Sequence, residues 1–224
     1  KDIKQREHNN EFKTTIMKRV FNLLVVDESG SMEIIRKQAL SGMNETLQTI
    51  RKMQEKHKNL EQRVTLITFD SSETKLRYDN VAARNIHRMG WRDYVPGGGT
   101  PLYDAIGRGI SRINSQASAE DSVLVTIITD GEENCSSEYS LRMVKNLIDK
   151  LKAQHWTFTF IGTEDLDVES MAEAMGIDNS LQFRQDDEGT QEMFARERKC
   201  RERFSMNLSM DLKMPNGRYF ADEK

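Results

Sequence analysis

Two short runs constrain this chain most: Val20–Asp27 (VFNLLVVD) and Val123–Asp130 (VLVTIITD), each almost wholly apolar and each ending on an aspartate. Runs this short, bounded by Gly and Ser, fit strands buried on both faces. Val64–Asp70 (VTLITFD) and Trp156–Gly162 (WTFTFIG) are two further strands, less uniformly apolar. Between them apolar residues recur at helical spacing. Leu40, Met43, Leu47 and Ile50 do so within Ile35–Met53, Ala105, Ile106 and Ile110 within Leu102–Ile113, and Val144, Leu147 and Ile148 within Leu141–Leu151. Ser170–Met175 starts a fourth helix, with Gly176 as its cap. Strands alternating with helices of this length make βαβ units. The expected fold is therefore α/β, a doubly wound (Rossmann-like), mainly parallel sheet with helices on both faces.

Glu73–Tyr78 follows the second strand across a link too short for a parallel crossover, so it is expected to pair antiparallel, at an edge. Leu181–Arg184 reads as a last short strand. Glu188–Phe204 reads as a charged helix with Met193, Phe194 and Phe204 on one side. A length of 224 residues suits one substantial domain better than two. There is no internal repeat and no low-complexity linker. The expected organisation is a polar N-terminal segment over 1–17, an α/β domain over 18–186, and a C-terminal helix and tail over 187–224 that packs on the domain or extends from it.

The 33 Lys and Arg against 36 Asp and Glu leave a net charge of −3, without the basic excess that phosphate-driven nucleic-acid binding requires. No apolar run approaches the roughly 20 residues of a membrane span. Lys1–Thr15 is polar, without the apolar core of a signal peptide. Cys135 and Cys200 lie too far apart for a metal-ligand spacing or a disulfide framework. The expected setting is the reduced cytoplasm.

Asp27 continues into Glu28-Ser29-Gly30-Ser31-Met32, and Asp130 into Gly131-Glu132-Glu133-Asn134. In a doubly wound sheet, ligands bind outside the carboxyl ends of the strands, where the strand order switches. Two carboxylates at two such ends can converge. Ser29 and Ser31 alternate along a tight loop and can point both hydroxyls one way. Between the two segments lies Pro96-Gly97-Gly98-Gly99-Thr100-Pro101, whose glycines allow close approach to a ligand. Three loops thus offer Asp27, Ser29, Ser31, Thr100 and Asp130. All-oxygen donors without His or Cys suit a hard cation, Mg²⁺ first, with Mn²⁺ or Ca²⁺ as alternatives. Mg²⁺ takes six ligands, which these side chains cannot easily supply, so one position left to water can pass to a partner's carboxylate.

On these residues the chain resembles a von Willebrand factor A domain of the stand-alone bacterial type, over roughly Val20 to Leu181. Asp27-x-Ser29-x-Ser31, Thr100 in a glycine-rich loop, and Asp130 in Thr129-Asp130-Gly131 look like that family's metal-ion-dependent adhesion site. The resemblance implies that the serines and the threonine approach the metal directly, and the aspartates directly or through water. It implies metal-bridged recognition of an acidic residue on a protein partner. The expected function is a divalent-cation-dependent protein-binding module rather than an enzyme. One alternative is a Mg²⁺-dependent hydrolase or phosphatase on a similar sheet. Against it, Ser29 stands where an Asp-x-Asp phosphatase needs its general acid, and there is no phosphate loop or nucleophile elbow. Another alternative is a structural subunit whose metal only stabilises the fold. The sequence leaves the oligomeric state open.

Each feature also has a plainer reading. Asp27, Ser29 and Ser31 can be a helix cap and turn, and Gly97–Gly99 a surface loop. Glu132 and Glu133 are expected to be solvated acids near the start of the next helix. His8, His57, His87 and His155 are scattered and form no ligand pair. Arg196–Arg203 (RERKCRER) is expected to be a solvated helix face, with Cys200 an ordinary thiol. Trp91 and Tyr94 either line a recognition surface or pack beneath the glycine loop. Met206, Met210 and Met214 suggest an adaptable tail.

Overall fold

The structure, a computed structural model, describes residues 17–212, 215 and 217–221. The readings of Lys1–Thr15, His8 and Met214 lie outside the described residues. The elements are β1 (Lys18–Asp27), α1 (Arg36–Lys56), β2 (Leu60–Phe69), β3 (Thr74–Ala82), α2 (Leu102–Asn114), β4 (Ser122–Thr129), α3 (Leu141–Lys152), β5 (Trp156–Thr163), α4 (Val168–Ala174), β6 (Asn179–Phe183) and α5 (Asp187–Ser209). A 3-10 turn, Gly30–Ile35, joins β1 to α1. The strands form one six-stranded sheet in the order β3-β2-β1-β4-β5-β6. All pairs are parallel except β2 with β3, the edge hairpin expected from its short link. Among the described residues no helix is long and apolar enough to cross a membrane.

The period of a strand divides the core. Val20, Leu24 and Val26 of β1 point to one face with Leu124 and Ile128 of β4, under α1 and α5. Phe21, Leu23 and Val25 point to the other, under α2, α3 and α4. Helix α5 lies close on α1 at Gly42, where an added methyl group would stand 2.1 Å from a ring carbon of Phe194. Gly42→Ala is therefore expected to lose about 1–3 kcal/mol through overpacking, which outweighs the ~1 kcal/mol an alanine gains in helix propensity. Urea denaturation reads this, and an unchanged or higher midpoint would refute the close packing.

The first face carries a polar interruption. Asn22 is the one polar side chain inside the apolar run of β1, and Thr126 is its counterpart in β4. Both are satisfied by Arg201 of α5, which donates to Asn22 Oδ1 at 2.6 Å and Thr126 Oγ1 at 2.8 Å. Its Nε and Nη2 both donate to Glu197 Oε1, at 2.9 and 2.6 Å, and the Tyr219 hydroxyl donates to that oxygen at 3.1 Å. Arg196–Arg203 is thus not a solvated face, because Glu197, Cys200 and Arg201 are buried against the sheet. Arg196 and Arg203 lie on its outer side and donate to the carbonyls of Phe220 and Ala221, which latches the C-terminal segment onto α5.

Candidate metal site

β1 and β4 are neighbours and both leave the sheet at the same edge. Their helices depart to opposite faces, since α1 packs on one face and α3 on the other. This is the switch point at which a crevice opens. Asp27 is the last residue of β1, and Asp130 follows the last residue of β4.

The loop after β1 is not a helix cap. Ser29 stands at the head of the 3-10 turn but its side chain makes no capping bond. Its N–H donates instead to Asp27 Oδ1 at 2.7 Å. The Ser29 hydroxyl lies 3.3 Å from that of Ser31, which donates to Asp130 Oδ1 at 2.8 Å. Four of the five expected residues are therefore linked by hydrogen bonds. The fifth, Thr100, is buried beside them. A methyl group on Gly131 would stand 3.1 Å from Thr100 Oγ1.

The glycine loop is clamped along its length. The Val95 N–H donates to Glu28 Oε1 at 2.6 Å, and the Gly97 N–H to the Glu28 carbonyl at 2.9 Å. The Gly98 carbonyl accepts from Gly30 at 3.1 Å, and the Gly99 N–H donates to Ser71 Oγ at 2.9 Å. The Thr100 N–H donates to Asn134 Oδ1 at 2.9 Å. Gly98 sits at φ +69°, a left-handed conformation that favours glycine. The glycines let the chain turn tightly, while the clamps fix where Thr100 stands.

Several of these partners were not marked by the sequence. Thr129 donates to Asp27 Oδ2 at 2.6 Å and so holds its second oxygen. The sequence named it only as the neighbour of Asp130 in Thr129-Asp130-Gly131 and gave it no role. Gln185, beyond β6, donates to Asp130 Oδ2, and nothing in the sequence pointed to it. Glu28 is fully buried, against Arg77 at 3.1 Å and Lys75 at 3.4 Å. Glu133 is not a solvated acid at the start of the next helix, since α3 begins only at Leu141. It accepts from the N–H of Tyr103 in the first turn of α2, and from those of Cys135 and Ser136, at 2.6–3.0 Å. Tyr94 packs beneath the loop, its hydroxyl donating to the Asp27 carbonyl at 2.6 Å. Trp91 stays half-exposed under the Arg36 guanidinium.

The donors suit a hard cation. Asp27 and Asp130 are both buried, and among the described residues neither is paired with Lys, Arg or His. Burial pushes the Asp27 carboxyl up to about 6, with the neighbouring Asp130 adding to the effect, and burial raises Asp130 as well. Two such carboxylates lack a compensating charge that a divalent ion would supply. Among the described residues no three His, Cys, Asp or Glu are grouped to hold a metal. A cation here must draw on hydroxyls too, which are the donors present. The site opens outward at Ser31, which is exposed.

A family model described as "von Willebrand factor type A domain" matches residues 23–196. No curated protein sequence matches the chain closely enough to count as a relative. Among solved structures, the pilus adhesin SpaC from Lactobacillus rhamnosus GG aligns with a TM-score of 0.63 at 15% identity, over 82% of this chain and 30% of its own. The PilB minor pilin from Streptococcus sanguinis aligns at 0.59 and 13%, over 88% of this chain and 62% of its own. Proximal thread matrix protein 1 from the mussel byssus, in a structure described as having a zinc-occupied MIDAS motif, aligns at 0.51 and 16%, over 80% and 46%. The chain thus spans under two thirds of each of these proteins, and at such identities the likeness is one of fold.

Proposed function

Because the chain belongs to the von Willebrand factor type A domain family, we propose that it is a divalent-cation-dependent protein-binding module. Asp27, Ser29, Ser31, Thr100 and Asp130 hold the cation, Mg²⁺ first and Mn²⁺ or Ca²⁺ as alternatives. An acidic residue of a partner protein completes its coordination. The observation that carries this reading is the pair of buried carboxylates without a basic partner, joined to two serine hydroxyls at the switch point.

The bound ion supplies positive charge that a carboxylate can reach from outside. The chain's own residues keep the oxygens in place for it. Thr129 and the Ser29 N–H fix the two Asp27 oxygens, Ser31 and Gln185 those of Asp130, and Asn134 the backbone of Thr100. Such outside support orients ligands and raises affinity. The serine and threonine donors are neutral hydroxyls and the two carboxylates at most balance a divalent ion, so a position left to water can pass to an incoming acid. Recognition rather than bond cleavage fits this arrangement, since Ser29 stands where a phosphatase would need an acid.

The test is capture from a native lysate on immobilised protein in Mg²⁺, with elution by chelator. A discrete set of proteins held in Mg²⁺, released by chelator and missing on Ser31→Ala supports the reading. The same proteins retained with chelator present would sink it.

A further inference from the structure

Three large exposed apolar side chains lie on the segments that flank the candidate metal site. Trp91 is 53% exposed, Val95 49% and Ile34 70%. Trp91–Val95 lies against the loop after β1, through the Tyr94 hydroxyl on the Asp27 carbonyl and the Val95 N–H on Glu28. Ile34 stands three residues after Ser31 in the 3-10 turn, and residues at that spacing share a face. The other loops at this edge show solvent Ser71, Ser72, Glu73, Glu132 and Asn134, with none of the large exposed apolar side chains among them.

Trp91 is pre-positioned. The Arg36 guanidinium lies 3.9 Å from its ring centroid. The same arginine donates to the Trp91 carbonyl and to the Tyr94 carbonyl, both at 2.9 Å. Two anchored carbonyls and a covered ring face fix the indole before anything binds it. An exposed tryptophan held this way loses little entropy on contact, which is how a few aromatic residues come to dominate an interface. What Trp91, Val95 and Ile34 still show to solvent is about half or more of each residue, apolar area that a partner can cover.

Resting on the metal reading above, we propose that Ile34, Trp91 and Val95 form an apolar shelf that sets partner specificity. The occupant is a segment of another protein whose carboxylate reaches the metal and whose neighbouring residue carries a large apolar side chain onto the shelf. The ion selects the acid, and the shelf selects its neighbour. Because the polar loops offer no equivalent, the shelf also sets the direction in which the partner segment runs.

Selection of a random peptide library displayed on phage tests this, on wild-type protein and on Trp91→Ser, in Mg²⁺ and in chelator. The expected winners in Mg²⁺ carry Asp or Glu with an aromatic or aliphatic residue within a few positions. Synthetic versions should bind Trp91→Ser about tenfold more weakly, the scale of a central aromatic contact. Val95→Ser should weaken the same peptides by a smaller factor. Mn²⁺ affinity is measured on each variant in parallel. If it falls as far as peptide affinity does in Trp91→Ser, the effect belongs to the metal site and the shelf is overturned. Acidic winners with no apolar preference overturn the shelf and leave the metal reading standing. Apolar winners retained in chelator, and on Asp27→Ala, overturn the metal reading and show a shelf that acts alone, contrary to the proposal. A Mg²⁺-dependent dimer in sedimentation, lost in Trp91→Ser, makes a second copy the occupant and likewise overturns it.

Discussion

Asp27→Asn is expected to abolish metal binding and, in the same protein, to make the metal-free fold more stable. The two effects have one cause. Asp27 is fully buried, and burial pushes its carboxyl up to about 6 from an ordinary 3.8. The sign follows from the two protonation states. Below pH 4 the group is neutral in both the folded and the unfolded chain and contributes nothing. Between pH 4 and pH 6 the unfolded chain ionises first, so the metal-free fold loses stability as pH rises. Above pH 6 the loss is complete, at about 3 kcal/mol for a shift of this size. Asparagine keeps the shape and an oxygen for the Ser29 N–H, and it removes the charge.

Thermal unfolding in chelator should therefore show Asp27→Asn melting higher than wild type at pH 7, with the gap closing toward pH 4. Adding Mg²⁺ should raise the wild-type midpoint by mass action and leave the variant where it was. Calorimetry should show a loss of at least about 100-fold in metal affinity, the upper end of what losing even an outer-shell partner costs. Wild-type affinity should also fall as pH drops below about 6, where a proton competes for Asp27. A variant that still takes up Mg²⁺ with the wild-type heat would remove Asp27 from the site.

Arg201→Met carries the largest expected effect on folding, a loss of about 3–5 kcal/mol, the scale for removing one partner of a buried ion pair. Arg201 is fully buried, and its removal leaves the buried Glu197 carboxyl without its partner and strips donors from Asn22 and Thr126. Replacing Glu197 and Arg201 together with Leu and Met should recover much of the loss, because the stranded carboxyl goes too. Urea denaturation of the two singles and the double closes the cycle. A single variant within about 1 kcal/mol of wild type would mean that α5 is not held to the sheet by this contact.

How far the chain could be read before folding depends on the range of the interaction. The strands, the helices and the edge hairpin were legible because apolar spacing and link length act over a few residues. Asp27 and Asp130 were legible as candidates because each ends an apolar strand, and Ser29, Ser31 and Thr100 because loop residues of their type follow or precede at short distance. Whether Ser29 capped a helix was undecided in the sequence, since serine favours that position either way. The structure decides it, since the Ser29 side chain makes no capping bond and its hydroxyl lies beside that of Ser31.

Other contacts left no local trace. Gln185 meets Asp130 from 55 positions away, and Arg201 meets Asn22 from 179. RERKCRER has the pattern of a wet surface, and only the packing of α5 onto the sheet buries its Glu197 and Arg201. The sequence by itself determined the sheet, its winding and which loops meet at its carboxyl edge, because burial and link length act locally. Tertiary structure alone decided which oxygens are held, by what, and which charges are left without a partner. Those depend on distances set by the crossing of segments remote in the chain.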